Sequence, residues 1–515
     1  MPCLTLLGTA SIQDYVFRSN RLRENLGGSG LVGWAMHSWQ ESDRARKLLL
    51  QSGGEVLYVG GGNAALRFPS KAHAQDAIRQ WSCRMLKCAP GLRLIAAHND
   101  EYREGELAEA FEKAQHRLTD AENRAPLGLE PGALPVIRPC PSTGLAASEK
   151  AAVIRGPDES VEPVTDEEEV EDDPRAEDYP AAVWLSAEAQ AKRDHFWQHV
   201  RRRFSKRYAA ALRDDRNQRH YRFPSDLNQL GTTSGASQIA LVHADGNSIG
   251  ALLRNLIERH REIRNDAEFL KELHTLSNDI SSIAHQAFAD LIAELVRALP
   301  DFEAEETVAL CHSKKDGKPL LPMRPIVDEG DDLTFVCHGK LGLALAVRYL
   351  QLFERNGVVR GLTASAGIVV MPQKLPFAQA YALTEDLCSS AKRACRKSSA
   401  PGSWIDFHLQ MEGRTGSLET FRNKQYPRWS DMKLPARPFG VTGPDGNSWR
   451  QFEDAWCQLA DGDKWPRSKA KRLFEAYSAG PREVESLMGH FQPSIKPIVF
   501  DALEFLDFHL KWPVQ

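Results

Sequence analysis

Two short acidic turns hold the residues of this 515-residue chain best suited to chemistry. The first lies in Ile239-Ala-Leu-Val-His-Ala-Asp245-Gly-Asn-Ser-Ile-Gly250, the second in Arg324-Pro-Ile-Val-Asp-Glu-Gly330-Asp331-Asp332-Leu-Thr-Phe-Val336. Each sets carboxylates at the end of, or in a tight turn beside, a short apolar run of strand type. If the two runs pair, Asp245, Asp331 and Asp332 face one small space. Their repulsion is costly unless a cation offsets it, and Mg2+ or Mn2+ suits such an oxygen-rich cluster. Ions held this way assist in-line displacement at phosphorus, so the pattern points to nucleotide chemistry. Asp-Gly and Gly-Asp are also common turn pairs. It is their joint occurrence at matching positions of a repeat that favours a site.

The neighbouring residues supply candidate roles. Gly330 permits the tight turn. Asp331 and Asp332 alternate across the strand, so one can ligate while the other supports. Gly246, Asn247 and Ser248 lead into a helix whose free amides can hold a triphosphate. Lys392, near the end of a later helix, can neutralise a β- or γ-phosphate; the alternative is an ordinary solvated lysine. His243 on a buried strand is expected to pack rather than ligate. Thr363 and Ser365 either line the pocket or fill small core positions. His312, His338 and His408 show no metal-like spacing.

The elements that must position these residues recur twice. In the first copy a strand at 4–7 precedes a helical stretch with Gly27, Gly28 and Gly30. A strand pair around 56–68, a helix 71–88, a strand 92–97 and a helix 104–123 follow. In the second, a strand 239–243 precedes a long helical stretch to 299, then a hairpin 325–337, a helix 341–355, a strand 362–370 and a helix 378–396. Strand–helix–strand–strand–helix–strand is the ferredoxin-like arrangement, in which the first strand lies beside the hairpin. The expected fold class is therefore α+β: two ferredoxin-like domains with a helical insert and a helical C-terminal domain. Gly62-Asn63-Ala64 is expected at the place of Gly330-Asp331-Asp332. The first copy thus keeps turn glycines without acids, and Gly61, Gly62 and Asn63 are candidates for binding nucleotide while the second copy catalyses.

The domain reading is 1–140 for the first ferredoxin-like domain, 141–185 for an acidic linker, 186–235 for a basic helical segment, 236–410 for the second, catalytic ferredoxin-like domain and 411–515 for the helical end. The run 166–173 is almost all acid, which opposes compaction. Lys192, Arg201, Arg202, Arg203, Lys206 and Arg207 crowd the basic segment beside Phe196, Trp197, Phe204 and Tyr208. That segment either grips RNA or another phosphate-rich ligand, or packs its aromatics under a solvated basic face, the reading we favour.

Bulk composition narrows the class. Apolar residues at 42% and charged residues at 26% are ordinary for a globular protein, and a net charge of −4 implies no global affinity for nucleic acid. Nine cysteines without a C-x-x-C pair fit a reducing compartment. No apolar run reaches membrane-spanning length, so a cytoplasmic protein without a membrane partner is expected.

With these motifs in view, the chain resembles the palm-domain large subunit of type III CRISPR effector complexes, the Csm/Cmr polymerase-cyclase family. The similar stretches are Ser19–Gly30, Tyr58–Asn63, Phe223–Leu227, Ala244–Asn247, Arg324–Thr334, Ser365–Ile368 and Ala391-Lys392. They span roughly 1–140 and 220–410, and the paired acidic motifs are the specific part. The resemblance implies two facing palms with a Gly-Gly-Asp-Asp hairpin in the second, and conversion of ATP to cyclic oligoadenylate in antiviral defence. It implies Mg2+ on Asp245, Asp331 and Asp332, and Lys392 on the triphosphate. Implied partners are ATP or another NTP, RNA or a ribonucleoprotein, and an effector protein that responds to the nucleotide product.

Three departures stand out. Glu329 replaces the first glycine of the hairpin motif. The family's N-terminal HD nuclease domain is expected to be absent. Cys140-Pro-Ser-Thr-Gly144 looks like the remnant of a cysteine zinc module whose partner cysteines are missing, so no zinc is expected. A standalone relative is the resulting expectation. The competing reading is a non-catalytic nucleotide- or RNA-binding sensor or scaffold with a degenerate palm.

Overall fold

The structure, a computed structural model, describes residues 1–41, 43–60, 62–99, 102–124, 137–147, 184–231, 237–314, 316–399, 402–411, 416–427, 429, 434–442, 447–489 and 496–512. Gly61 and the acidic run 166–173 lie outside the described residues, and with them the expected nucleotide role of Gly61. The chain forms two compact units: residues 1–207, 248–281 and 314–316 in one, 208–247, 282–313 and 317–515 in the other.

The first unit contains β1 (Cys3–Ala10), α1 (Ile12–Phe17), α2 (Leu22–Glu41), α3 (Asp43–Gln51), β2 (Glu55–Gly60), β3 (Asn63–Phe68), α4 (Lys71–Cys88), β4 (Arg93–His98), α5 (Leu107–Arg124), α6 (Ala187–His195) and α7 (Arg201–Arg207). Its sheet runs β2-β3-β1-β4 with antiparallel neighbours. This is the strand order expected of a ferredoxin-like unit. Leu107, Phe111, Ala114 and Leu118 recur every three or four residues on α5, and that stripe packs with Leu4, Leu6 and Ala65. Leu256 and Ile257 of α8 (Ile249–Ile263) and Phe269 and Leu273 of α9 (Asp266–Ala304) complete this core. Each buried Leu or Phe contributes about 1.5–3 kcal/mol.

The basic segment folds as α6, a five-residue π-helical turn at Phe196–Val200, and α7. Phe196, Phe204 and Tyr208 are buried, as the packing alternative requires. Lys192 departs from the basic face assigned to it. It is fully buried and its Nζ pairs with Glu188 at 2.6 Å, because α6 lays this side chain against α2.

The second unit opens with a short ribbon, β5 (Arg213–Asp214) and β6 (Arg219–His220), and continues with β7 (Gln238–Gly246), β8 (Met323–Glu329), β9 (Asp332–His338), α10 (Gly342–Asn356), β10 (Ala364–Pro372), α11 (Phe377–Lys397), β11 (Trp404–Leu409), α12 (Leu418–Gln425) and β12 (Phe439–Gly440). The sheet order β12-β11-β10-β7-β9-β8 contains the same four-strand pattern, extended by β11 parallel to β10 and by β12. The two added strands went unforeseen, although Trp404-Ile-Asp-Phe-His-Leu409 alternates as a strand should.

Alternation separates two faces of this sheet. One carries Ala240, Val242 and Phe335. Phe288 of α9 packs on Phe335, and α10 comes so close that a Cβ on Gly342 would sit 2.3 Å from Ala240. The other face carries His243, Asp245, Ser365 and Gly367 under α11. There a Cβ on Gly367 would lie 2.1 Å from the Thr384 carbonyl oxygen, so only glycine lets α11 settle this low. The C-terminal helices α13 (Trp449–Ala460), α14 (Arg467–Ala479), α15 (Pro481–Leu487) and α16 (Lys496–Glu504) join the sheet edge through Phe407 against Phe452 and Phe505. Buried Arg437 binds Asp501 and Glu504, each at 2.7 Å. Among the described residues no helix is long and apolar enough to cross a membrane.

Candidate functional site

β7 and β9 pair antiparallel from Ile239–His338 through Ala244–Leu333, which brings Asp245 and Asp332 next in line. β8 and β9 close on Glu329–Asp332, leaving Gly330 and Asp331 as a two-residue turn, with Gly330 at φ 64°. Glu329, Asp332, Asp245, His243, Thr334 and Ser365 consequently share the sheet face beneath α11, and Asp331 sits at the tip beside them.

The Asp331 carboxyl hydrogen-bonds that of Asp245. Burial first, then the charges of Asp245 and Asp332, push the Asp331 pKa far above the ordinary carboxylate range. Asp245 also forms an ion pair with Lys392 Nζ, since α11 runs over this end of β7. Asp332 meets a different partner: its Oδ1 is 3.3 Å from His243 Nδ1. That oxygen is buried yet meets no donor in hydrogen-bonding geometry. His243 Nδ1 is also 3.0 Å from Thr334 Oγ1. Burial disfavours the charged imidazole, but Asp332, Asp245 and Glu385 outweigh it and raise the His243 pKa. His243 is therefore packed, as expected, and also part of the charged cluster.

Around the loop after β7 one expectation fails. The Asn247 backbone amide donates to the Thr363 carbonyl at 2.8 Å, so it is not a free amide for a triphosphate. Its side chain donates to Thr363 Oγ1 at 2.9 Å and accepts from Ser365 Oγ at 2.8 Å. The β7–β10 pairing simply continues past Gly246–Ala364. Asn247 thus fixes the turn, and Ser365 and Thr363 are its partners. Ser248 follows in the left-handed region at φ 62°, where α8 begins.

The first unit repeats the hairpin without acids, but in a shifted alignment. Gly60 pairs with Asn63 as Glu329 pairs with Asp332, so Asn63 matches Asp332 rather than Asp331. Gly62, just before Asn63, is in the left-handed region at φ 72°. Gly8, which follows the Leu7–Ala64 pair, takes the place of Asp245.

The convergence is thus narrower than three carboxylates on one point. Asp331 meets Asp245, Asp332 meets His243, and among the described residues no group of three or more His, Cys, Asp or Glu side chains is arranged to hold a metal ion. The donor set nonetheless suits a divalent ion. Asp331 and Asp245 meet through their carboxyls, a lysine already supplies positive charge to Asp245, and a buried Asp332 oxygen lacks a hydrogen bond. Sequence reasoning missed Tyr208, Asp328 and His285, which meet on the opposite face of the same hairpin. Only the lone polar residue in the run Pro325–Asp328 hinted at them.

Comparison with known proteins bears on this region. Residues 238–400 match the family model described as Cas10/Cmr2, second palm domain. No curated protein matches the chain. Similar solved structures include the Csm1–Csm4 cassette in complex with AMPPNP, with a TM-score of 0.49 at 12% identity, and the cassette in complex with cA4, with 0.48 at 12%; each match covers 98% of this chain and 69% of the other. Csm1 from T. onnurineus gives a TM-score of 0.48 at 12% identity over the same shares. The match falls where the specific motifs of the resemblance read from the sequence lie, at Asp245, Asp331, Asp332 and Lys392.

Proposed function

We propose that this chain is a nucleotidyltransferase that joins NTPs, ATP foremost, into a cyclic nucleotide or oligonucleotide signal in a type III CRISPR-like antiviral setting. The observation that carries this reading is the meeting of Asp331 and Asp245 at the hairpin of a Cas10/Cmr2-type palm. Asp245 and Asp331 would hold Mg2+ or Mn2+, with Asp332 in support. When bound, the ion neutralises charge that develops on the phosphate oxygens. Gly330 keeps the turn free of side-chain bulk. Lys392 exchanges Asp245 for a triphosphate oxygen. A 3′-hydroxyl attacks the α-phosphorus of a second nucleotide, the bond to the β-phosphate oxygen breaks, pyrophosphate leaves, and the hydroxyl proton passes to water.

Glu329 favours a second reading, a nucleotide or RNA sensor that binds without turnover. It adds a carboxylate on the face where phosphates would approach. Purified protein incubated with labelled ATP and Mg2+ or Mn2+, with and without RNA, separates the two. Pyrophosphate and a cyclic product that disappear in Asp331→Ala/Asp332→Ala support transfer. Binding with no product under every condition supports the sensor. RNA or a ribonucleoprotein as activator, and an effector protein reading the product, belong to the same proposal.

A further inference from the structure

Asp328 stands on β8 just before the acidic turn, opposite Leu333, which itself pairs with Ala244. Its side chain therefore points to the face away from Asp245 and Asp332 and into the core, where it is 5% exposed. A carboxylate there is costly unless well bonded. The Tyr208 hydroxyl donates to Oδ2 at 2.6 Å, and His285 Nε2 lies 3.5 Å from Oδ1. The Tyr208 ring meets Phe288 edge-on at 5.2 Å, and Phe288 packs on Phe335 of β9. One buried carboxylate thus ties the hairpin to α9 and to the segment that opens this unit. β8–β9 shifts register between Pro325 and Val327, so three pairs, Val327–Thr334, Asp328–Leu333 and Glu329–Asp332, hold the turn, and Asp328 is the middle one. An apolar residue at 328 would serve bare stability as well or better.

Resting on the nucleotidyl-transfer reading, we propose that Asp328, held by Tyr208 and His285, is a positioning residue that sets Asp331 and Asp332 for the divalent ion. Its bonds fix the strand leading into the turn, so the two acids at the tip inherit that placement. Loosening it leaves the nucleotide contacts of Lys392 alone and blurs the cation site.

The test uses the full chain and two variants, Tyr208→Phe, which keeps the ring, and Asp328→Asn, which keeps the shape. Mn2+ binding is followed by electron paramagnetic resonance without nucleotide, alongside Tm and ATP kinetics. Tyr208→Phe should weaken Mn2+ binding about tenfold and lower kcat comparably, with KM for ATP nearly unchanged and Tm lowered by only a few degrees for the lost donor. Asp328→Asn, which can still accept from Tyr208, should fall between. Wild-type Mn2+ binding and kcat in a folded Tyr208→Phe protein overturn the inference, as do two variants that merely unfold. A wild-type protein that binds no Mn2+ overturns the proposed function itself, and this inference with it.

Discussion

The carboxyl group of Asp331, in the turn between β8 and β9, hydrogen-bonds the carboxyl group of Asp245 at the end of β7. Two acids in such contact cannot both ionise without cost, so one of them holds its proton up to about neutral pH.

This relationship sets a pH dependence. Asp331 titrates at about 7 in the folded protein, because of burial and then Asp245, against about 4 for an unfolded aspartate. Between those values the folded chain binds a proton that the unfolded chain has released, so stability falls as pH rises through that window and levels off above it. Metal-free protein should therefore lose Tm from pH 5 to pH 8. Asp331→Asn should flatten that slope and melt higher at pH 8. Mg2+ should raise Tm more at pH 8 than at pH 5. Equal slopes in both proteins would refute this.

Lys392 is the counter-charge of Asp245 in the absence of ligand. Both groups are partly exposed, so their pair contributes only about 0.2–1 kcal/mol to stability. Lys392→Met should scarcely move Tm. It should weaken ATP binding about tenfold, the loss of one charge-assisted phosphate contact. Calorimetric titration with ATP checks this; unchanged affinity would leave Lys392 as a counter-ion alone.

Glu329 shares the face of Asp332. A single carboxylate near a phosphate in water-exposed surroundings repels it by about 1 kcal/mol. Glu329→Gly should tighten ATP binding roughly fivefold and raise kcat/KM with it. A loss of turnover instead would make Glu329 a working ligand of the site.

The C-terminal helices depend on Arg437, which reaches Asp501, Glu504 and the Tyr426 hydroxyl from a fully buried position. Arg437→Met strands two carboxylates and should cost about 3–5 kcal/mol, read as a drop in the urea midpoint.

The two palms were legible in the sequence because their strands alternate or run apolar, and because Gly330 and Gly62 mark the turns. The pairing of Asp245 with the hairpin followed from topology. What the sequence could not supply was the register by which Asn63 matches Asp332, since a shift of one residue leaves the composition unchanged. Asn247 was misread because a backbone amide's partner depends on how far a strand pair continues. Lys192 was counted with an exposed basic face because charge pattern alone does not show that Glu188, one helical turn away, accompanies it into the core. The Tyr208–Asp328 bond joins residues too distant in the chain for any periodicity to reveal.

Crystals soaked in Mn2+ with a non-hydrolysable ATP analogue, measured at the manganese edge, test the central claim most directly. An anomalous peak about 2.1 Å from carboxylate oxygens of both Asp245 and Asp331 is the result predicted. A bound analogue with no such peak, or manganese held only elsewhere, would contradict it.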